Sequence, residues 1–155
     1  MVRLGISIYG LRPSPDIAPD LDLRPAMRVV SEVSMVQRLP AGERPSYGRR
    51  RPLPADANVA TVPLGYADGI ARRLGSEGSE VLVGGKRRPF AGTVTMDQIV
   101  VDMGDDAAEV GDEVVLLGRQ GTEEITADEW AAKLGTINYE IVCDFGPRLP
   151  RRYRS

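Results

Sequence analysis

From residue 27 onwards the chain is chopped into short runs with an apolar residue at every second position, and glycine-bearing turns separate them; few architectures accept that rhythm. Met27, Val29, Val33, Met35 and Leu39 fall on odd positions, with Arg28, Glu32, Ser34 and Arg38 on even ones. A period near two places alternate side chains on one buried face, so 27–39 is predicted as one long half-buried strand. Further strands are predicted at 57–64, 80–83, 86–90, 94–103 and 113–117, bounded by Gly75, Gly78, Gly84-Gly85 and Gly104. Gly84-Gly85 suits a two-residue hairpin, because glycine accepts the positive φ angles such turns demand. Helical period emerges only late. Thr126-x-x-Glu129 is a capping-box signature, Trp130 and Leu134 share a helical face, and Gly135 can end the helix. The fold class expected is mainly β: an antiparallel, β-barrel-like domain with one or two short helices near the C-terminus.

Ahead of this domain, residues 2–9 (Val-Arg-Leu-Gly-Ile-Ser-Ile-Tyr) read as a short strand, followed by the prolines Pro13, Pro15, Pro19 and Pro25. A lone opening strand has no local pairing partner, which fits the remnant of a larger sheet. Residues 1–22 are therefore read as such a remnant with its linker and 23–155 as the β-domain, and the first ten residues are expected to fray.

The chemistry is narrowed by what the 155 residues lack. With one cysteine, Cys143, and no histidine, neither an internal disulfide nor a Cys/His zinc site is expected, and Ser-His-Asp or Cys-His catalysis is excluded. Proton transfer would fall to Tyr, Asp, Glu, Lys or Arg. A net charge of −2 argues against nucleic acid as partner, although Arg49-Arg50-Arg51 and the tail arginines Arg148, Arg151, Arg152 and Arg154 allow local anion contacts. No apolar run nears the roughly 20 residues of a membrane span, and no leader pattern is seen, so a cytoplasmic protein is expected.

Singly, Tyr47 reads as an ordinary strand tyrosine, Gly65-Tyr66-Ala67-Asp68-Gly69 as a turn and Thr95-Met96-Asp97-Gln98 as a strand entry. Their order and spacing say more. Arg3-Leu4-Gly5-Ile6 with Tyr9-Gly10, Ser46-Tyr47-Gly48, the Gly65–Gly69 run, Met96-Asp97-Gln98, Asn138-Tyr139-Glu140 and Arg148-Leu149-Pro150-Arg151 together resemble the pyridoxal-phosphate-dependent alanine racemases. The resemblance runs along essentially the whole chain, yet corresponds only to the end of the last barrel strand and the C-terminal β-domain of that family. Its N-terminal α/β-barrel is not represented.

The resemblance implies a role for each matching residue. Arg3 would face the pyridine nitrogen of pyridoxal 5'-phosphate, the Gly5–Ile6 backbone would approach the phosphate, and the Tyr139 hydroxyl would meet it too. Tyr47 would be the base exchanging the α-proton of alanine on one face. Met96, with Asp97 beside it, would contact the substrate carboxylate, and Tyr66 would gate the entrance. Tyr47, Tyr66 and Met96 would serve the partner subunit's cofactor, implying a homodimer, and the parent would interconvert L- and D-alanine for peptidoglycan synthesis. Pro45, Thr93 and Thr95 depart from the common pattern, the last two where arginine and cysteine are frequent.

Residue chemistry accords with these roles. Arginine donates without readily yielding its proton, so Arg3 would leave a pyridine nitrogen largely unprotonated and favour quick reprotonation at the α-carbon. A tyrosine ionising near pH 10 costs about 4 kcal/mol to deprotonate at pH 7, so a tyrosine base needs positive neighbours; Arg44, Arg49, Arg50 and Arg51 are near in sequence. A two-base inversion also needs an acid on the opposite face, in this family the cofactor lysine. Lys86, after a hairpin turn, and Lys133, in a last helical turn, both read as surface residues. The chain alone is thus expected to be inactive, its lysine lying in a barrel domain. A non-catalytic dimerisation or binding module, or a racemase of another amino acid such as serine, stand as alternatives.

Overall fold

The structure is a computed structural model that describes residues 1–14, 16–17 and 19–153; Pro15 of the proline stretch and Arg154 of the tail cluster lie outside the described residues. Its strands are β1 (Val29–Glu32), β2 (Met35–Leu39), β3 (Ala57–Val62), β4 (Glu80–Val83), β5 (Lys86–Pro89), β6 (Ile99–Gly104), β7 (Glu113–Gln120) and β8 (Glu123–Ile125), followed by helices α1 (Ala127–Leu134) and α2 (Asn138–Cys143). One antiparallel sheet runs β1-β7-β4-β5 with β8 added to β7, and a second runs β2-β3-β6. They join at two places, through the chain itself between β1 and β2 and through a bridge between Phe90 and Val101. This closure gives the barrel-like β-domain expected from the alternation.

The single strand predicted for 27–39 is a correction: it is two strands in two sheets. At the corner, Val33 exchanges backbone hydrogen bonds with the segment before β7 (Val33 N to Asp112 O 2.9 Å; Gly111 N to Val33 O 2.8 Å), and the next residue turns to β3 (Ser34 N to Thr61 O 2.8 Å). Val33 is fully buried there. Both strands feed one core, so the period-two pattern passes through the corner without a break.

The hairpin and helix signals hold. Gly84 and Gly85 take φ of +60° and +73°, pairing Val83 with Lys86. Thr126 Oγ1 accepts the Glu129 amide at 3.1 Å, and Gly135 closes α1 in the left-handed conformation. The return arm of that capping box is missing, because the Glu129 carboxylate goes to Arg87 instead (2.9 and 3.0 Å). Trp130 of α1 is buried with Phe90, Ile70, Leu74, Leu82, Ile99, Leu116 and Ile125, so the helix is a lid on the core.

Three further predictions are corrected. The strand expected at 94–103 begins only at Ile99, because Thr95 folds its amide and hydroxyl onto the Gln98 carbonyl (both 2.9 Å). Strand β7 runs on to Gln120 and pairs with β8, a strand too short to stand out as a pattern. Residues 2–9 are no strand: Gly5–Tyr9 is a 3-10 turn. Without ladder partners its backbone bonds locally (Ser7 N to Leu4 O 3.3 Å; Gly10 N to Ser7 O 3.1 Å). The stretch expected to fray has anchors at its C-terminal end. Ile6 is buried, Ala26 N donates to Tyr9 O at 3.0 Å, and a Cβ on Gly10 would stand 1.7 Å from the Arg24 carbonyl oxygen. Among the described residues no helix is long and apolar enough to cross a membrane.

Candidate functional site

Tyr47 opens a 3-10 turn (Tyr47–Arg49) whose backbone is unusual. Ser46 and Arg49 have φ of +71° and +43°, flanking Gly48 at +74°. Positive φ in a residue with a Cβ costs of order 1–3 kcal/mol and persists only where surroundings enforce it. Enforcement comes from a reciprocal pair: Ser46 Oγ donates to the Thr93 carbonyl (2.6 Å) and Thr93 Oγ1 to the Tyr47 carbonyl (3.0 Å). Gly92 lets the strands approach, since a Cβ there would lie 2.5 Å from the Pro45 oxygen. The backbone is fixed while the Tyr47 side chain is left outside, 76% exposed. None of the described residues hydrogen-bonds its hydroxyl.

The segment that straps Tyr47 also carries the second tyrosine turn. Tyr66 N donates to Thr95 O (2.9 Å) and Ala67 N to Met96 O (3.0 Å), with Gly65 so close that a Cβ would stand 2.3 Å from the Thr95 oxygen. Thr93 and Thr95, two of the three departures from the common pattern, thus shape this platform: the Thr93 hydroxyl ties it to the Tyr47 turn, and the Thr95 hydroxyl folds the loop whose carbonyl receives Tyr66. Asp68 ends the turn. Only 5% exposed, it accepts the Gly65 amide at 2.9 Å and meets Arg148 Nε at 3.3 Å. Arg148 reaches Asp97 with Nη2 at 2.7 Å, and the Asp97 bond, then Asp68, raise its pKa. Tyr66 (43%) and Met96 (53%) are exposed. The structure therefore brings Tyr47, Tyr66, Met96 and Asp97 onto one platform.

A second group forms at the other predicted contacts. Gly5 is exposed with φ of +56°, and a Cβ on it would lie 4.0 Å from the Tyr139 hydroxyl. Tyr139 sits in the first turn of α2, half-buried; Ile6 turns its side chain into the core, and Arg3 is exposed. Asn138 anchors the start of α2 by donating to the Arg12 carbonyl (2.8 Å) and Asp128 Oδ1 (2.7 Å). At the far end of α2 the Asp144 carbonyl sits under Gly69, where a Cβ would be 2.6 Å away. This helix braces both groups.

The remaining charges are engaged elsewhere. Lys86 pairs with Asp106 at 2.7 Å, and Lys133 donates to the Gly78 carbonyl at 3.0 Å. Lys86, and Arg88 after it, pull the Asp106 carboxyl down to about 2. Of the arginines near Tyr47, Arg44 binds the Arg49 carbonyl, Arg49 binds Glu43 and Arg51 binds the Phe90 carbonyl. Arg50 packs along Gly48. Sequence reasoning missed Ser46, Thr93 and Arg148 as supports: hydroxyls that bond backbone carry no periodic signal, and Arg148 was lost in a charged tail. A shallow hollow beside Tyr66 is lined by Gly69, Ile70, Ala71 and Asp144, whose carboxyl pKa is raised by burial and by Glu140. Among the described residues no group of three or more Cys, Asp or Glu is arranged to hold a metal ion.

Comparison with known proteins agrees with this geometry. A family profile described as "Alanine racemase, C-terminal domain" matches residues 26–153. The alanine racemase of Frankia casuarinae is 52% identical over 99% of this chain and 40% of its own length, and that of Streptomyces coelicolor 47% identical over 99% and 39%. Among solved structures, alanine racemase from E. faecalis superposes with a TM-score of 0.90 at 44% identity, covering 97% of this chain and 40% of that one. The chain thus spans about two-fifths of the length of the relatives it matches. Profile, identity and superposition converge on one family: the chain belongs to the alanine racemases, as their C-terminal domain.

Proposed function

We propose that this chain, with residues 1–22 forming the end of a barrel strand and its linker when the rest of the barrel is joined to it, completes an alanine racemase once that barrel domain supplies a lysine. The observation that carries this reading is Tyr47, exposed on an enforced positive-φ turn strapped to the segment that bears Met96. A side chain kept outside while its backbone is held rigid is positioned for an external reactant.

Gly5, lacking a side chain and next to the Tyr139 hydroxyl, offers a backbone amide and an O–H donor to a phosphate, and Arg3 offers donors to a ring nitrogen. These residues fit the phosphate and ring of pyridoxal phosphate. Neither lysine belongs to this group, since Lys86 is tied to Asp106 and Lys133 to Gly78, so the aldehyde end calls for a lysine from outside.

The chemistry supplied by pyridoxal phosphate, when bound, is delocalisation of charge at the substrate α-carbon. Tyr47 Oη takes or returns the α-proton on one face, and the barrel lysine serves the other. The Met96 backbone with Asp97 orients the substrate carboxylate, and Tyr66 limits entry. In a homodimer these residues serve the partner subunit's cofactor, while Arg3, Gly5, Ile6 and Tyr139 hold the chain's own. Working in the cytoplasm, the enzyme would supply D-alanine for peptidoglycan.

Co-expression with a barrel domain tests the reading. Interconversion of L- and D-alanine that is lost in Tyr47→Phe is expected. Absence of turnover, or turnover indifferent to that change, overturns it.

A further inference from the structure

One arginine of the tail cluster is absorbed by none of the roles above. Arg148 follows α2 and lies between two carboxylates of different kinds. Asp68 is almost fully buried, its Oδ2 used by the Gly65 amide, which leaves Oδ1 facing Arg148 Nε. Asp97 is open to solvent, and Arg148 is its ion-pair partner among the described residues. An ion pair between two exposed side chains would carry little weight. Here one carboxylate is buried at the foot of the Tyr66 turn and the other follows Met96, so one guanidinium spans both walls of the platform.

We propose that Arg148 is a positioning residue with two effects. It clamps the Tyr66 turn to the Met96–Asp97 loop, and it cancels the charge of Asp97 beside the backbone that meets a substrate carboxylate. The second effect rests on the racemase reading. Without Arg148, Asp97 would stand as a bare negative charge next to the seat of an anionic group and repel it. The planar guanidinium uses two separate nitrogens, Nε and Nη2, one for each carboxylate, a fixed pair of donors that a lysine ammonium cannot copy.

The clamp is measured in the 155-residue chain by amide hydrogen exchange. In Arg148→Gln the Tyr66 and Ala67 amides, which donate to Thr95 and Met96, are expected to exchange about tenfold faster, and unchanged exchange overturns the clamp. The charge effect is measured in the barrel-joined enzyme. Arg148→Gln is expected to raise KM for alanine about three- to tenfold with a smaller change in kcat, and Arg148→Lys to restore little. Adding Asp97→Asn to Arg148→Gln should bring KM back to within about twofold of Asp97→Asn alone, because no charge then remains to cancel. A KM rise that Asp97→Asn leaves untouched, or no KM rise, overturns the charge effect. An inactive unmodified enzyme overturns the racemase reading and the charge effect with it, and the exchange measurement still decides the clamp.

Discussion

Arg87 and Tyr47 mark two contrasting solutions to placing a polar side chain. Arg87 on β5 is met by Glu129, Glu80 (3.0 Å) and Glu123 (3.1 Å), and by the Glu124 carbonyl. These partners, Glu129 foremost, raise its pKa far above the usual arginine value despite the opposing effect of burial. The cluster joins β4, β5, β8 and α1, so it fastens the helical lid to the sheet. Around Tyr47 the reverse holds: the backbone bonds are made and the side chain is left without a described partner. A satisfied network fixes a fold, whereas an unsatisfied group held still is what a reactant needs.

The contrast can be broken at four points. Tyr47→Phe in the barrel-joined enzyme should lower kcat by about 10²–10⁴, the usual worth of a positioned acid or base, while urea denaturation stays within about 0.5 kcal/mol of the unmodified protein. Gly92→Ala should act on the support. Its Cβ would collide with the Pro45 carbonyl at a φ of +130°, and displacing the Tyr47 turn by about 1 Å should cost kcat on the order of 10²-fold, read in steady-state kinetics. Arg87→Met strands three carboxylates. It should lower unfolding free energy by about 2 kcal/mol, less than for a fully buried charge because the side chain is about one-third exposed (32%), with kcat unchanged. Equal losses of stability and kcat from any of these would erase the distinction between the regions.

The smallest effect concerns Asp144, whose raised carboxyl pKa comes from burial and then Glu140. Raised means that the folded state prefers the protonated form. This stabilising preference is therefore present in acid and lost as pH rises through the raised folded value. At pH 7 the ionised group sits at a helix C-terminus four residues from Glu140, unfavourable by about 0.3–0.5 kcal/mol. Asp144→Asn should raise the melting temperature by about 1–2 °C at pH 7 and leave it unchanged near pH 3, where the carboxyl is neutral anyway.

Much of the fold could be read from local chemistry. The Gly84-Gly85 hairpin, the Thr126 cap and the Gly135 stop are decided by a few adjacent residues, and the structure has all three. The sheet switch at Val33 was hidden because inward-facing positions keep their period whichever sheet receives the backbone bonds. Residues 94–98 kept an apolar alternation, yet Thr95 folds them into a turn that only the nearby Tyr66 segment makes worthwhile. At the candidate site the family resemblance singled out Tyr47, Tyr66 and Met96, which the structure leaves exposed, but not the residues that support them. Ser46, Thr93 and Arg148 act through contacts 46 or more residues apart, and no local pattern encodes a partner at such range.

The closeness of Gly10 to Arg24 has a consequence for how this domain tolerates change. With Tyr9 O receiving Ala26 N and Gly10 against the Arg24 carbonyl, the intervening chain leaves and returns to one point. Pro19, Asp20, Leu21 and Asp22 are exposed. Loop closure costs only about 0.6 kcal/mol per doubling of length, so this excursion could lengthen, or accept a tag, without shifting either chain end that it joins. It is the natural place to insert a reporter that leaves the spacing between Gly5 and the β-domain intact.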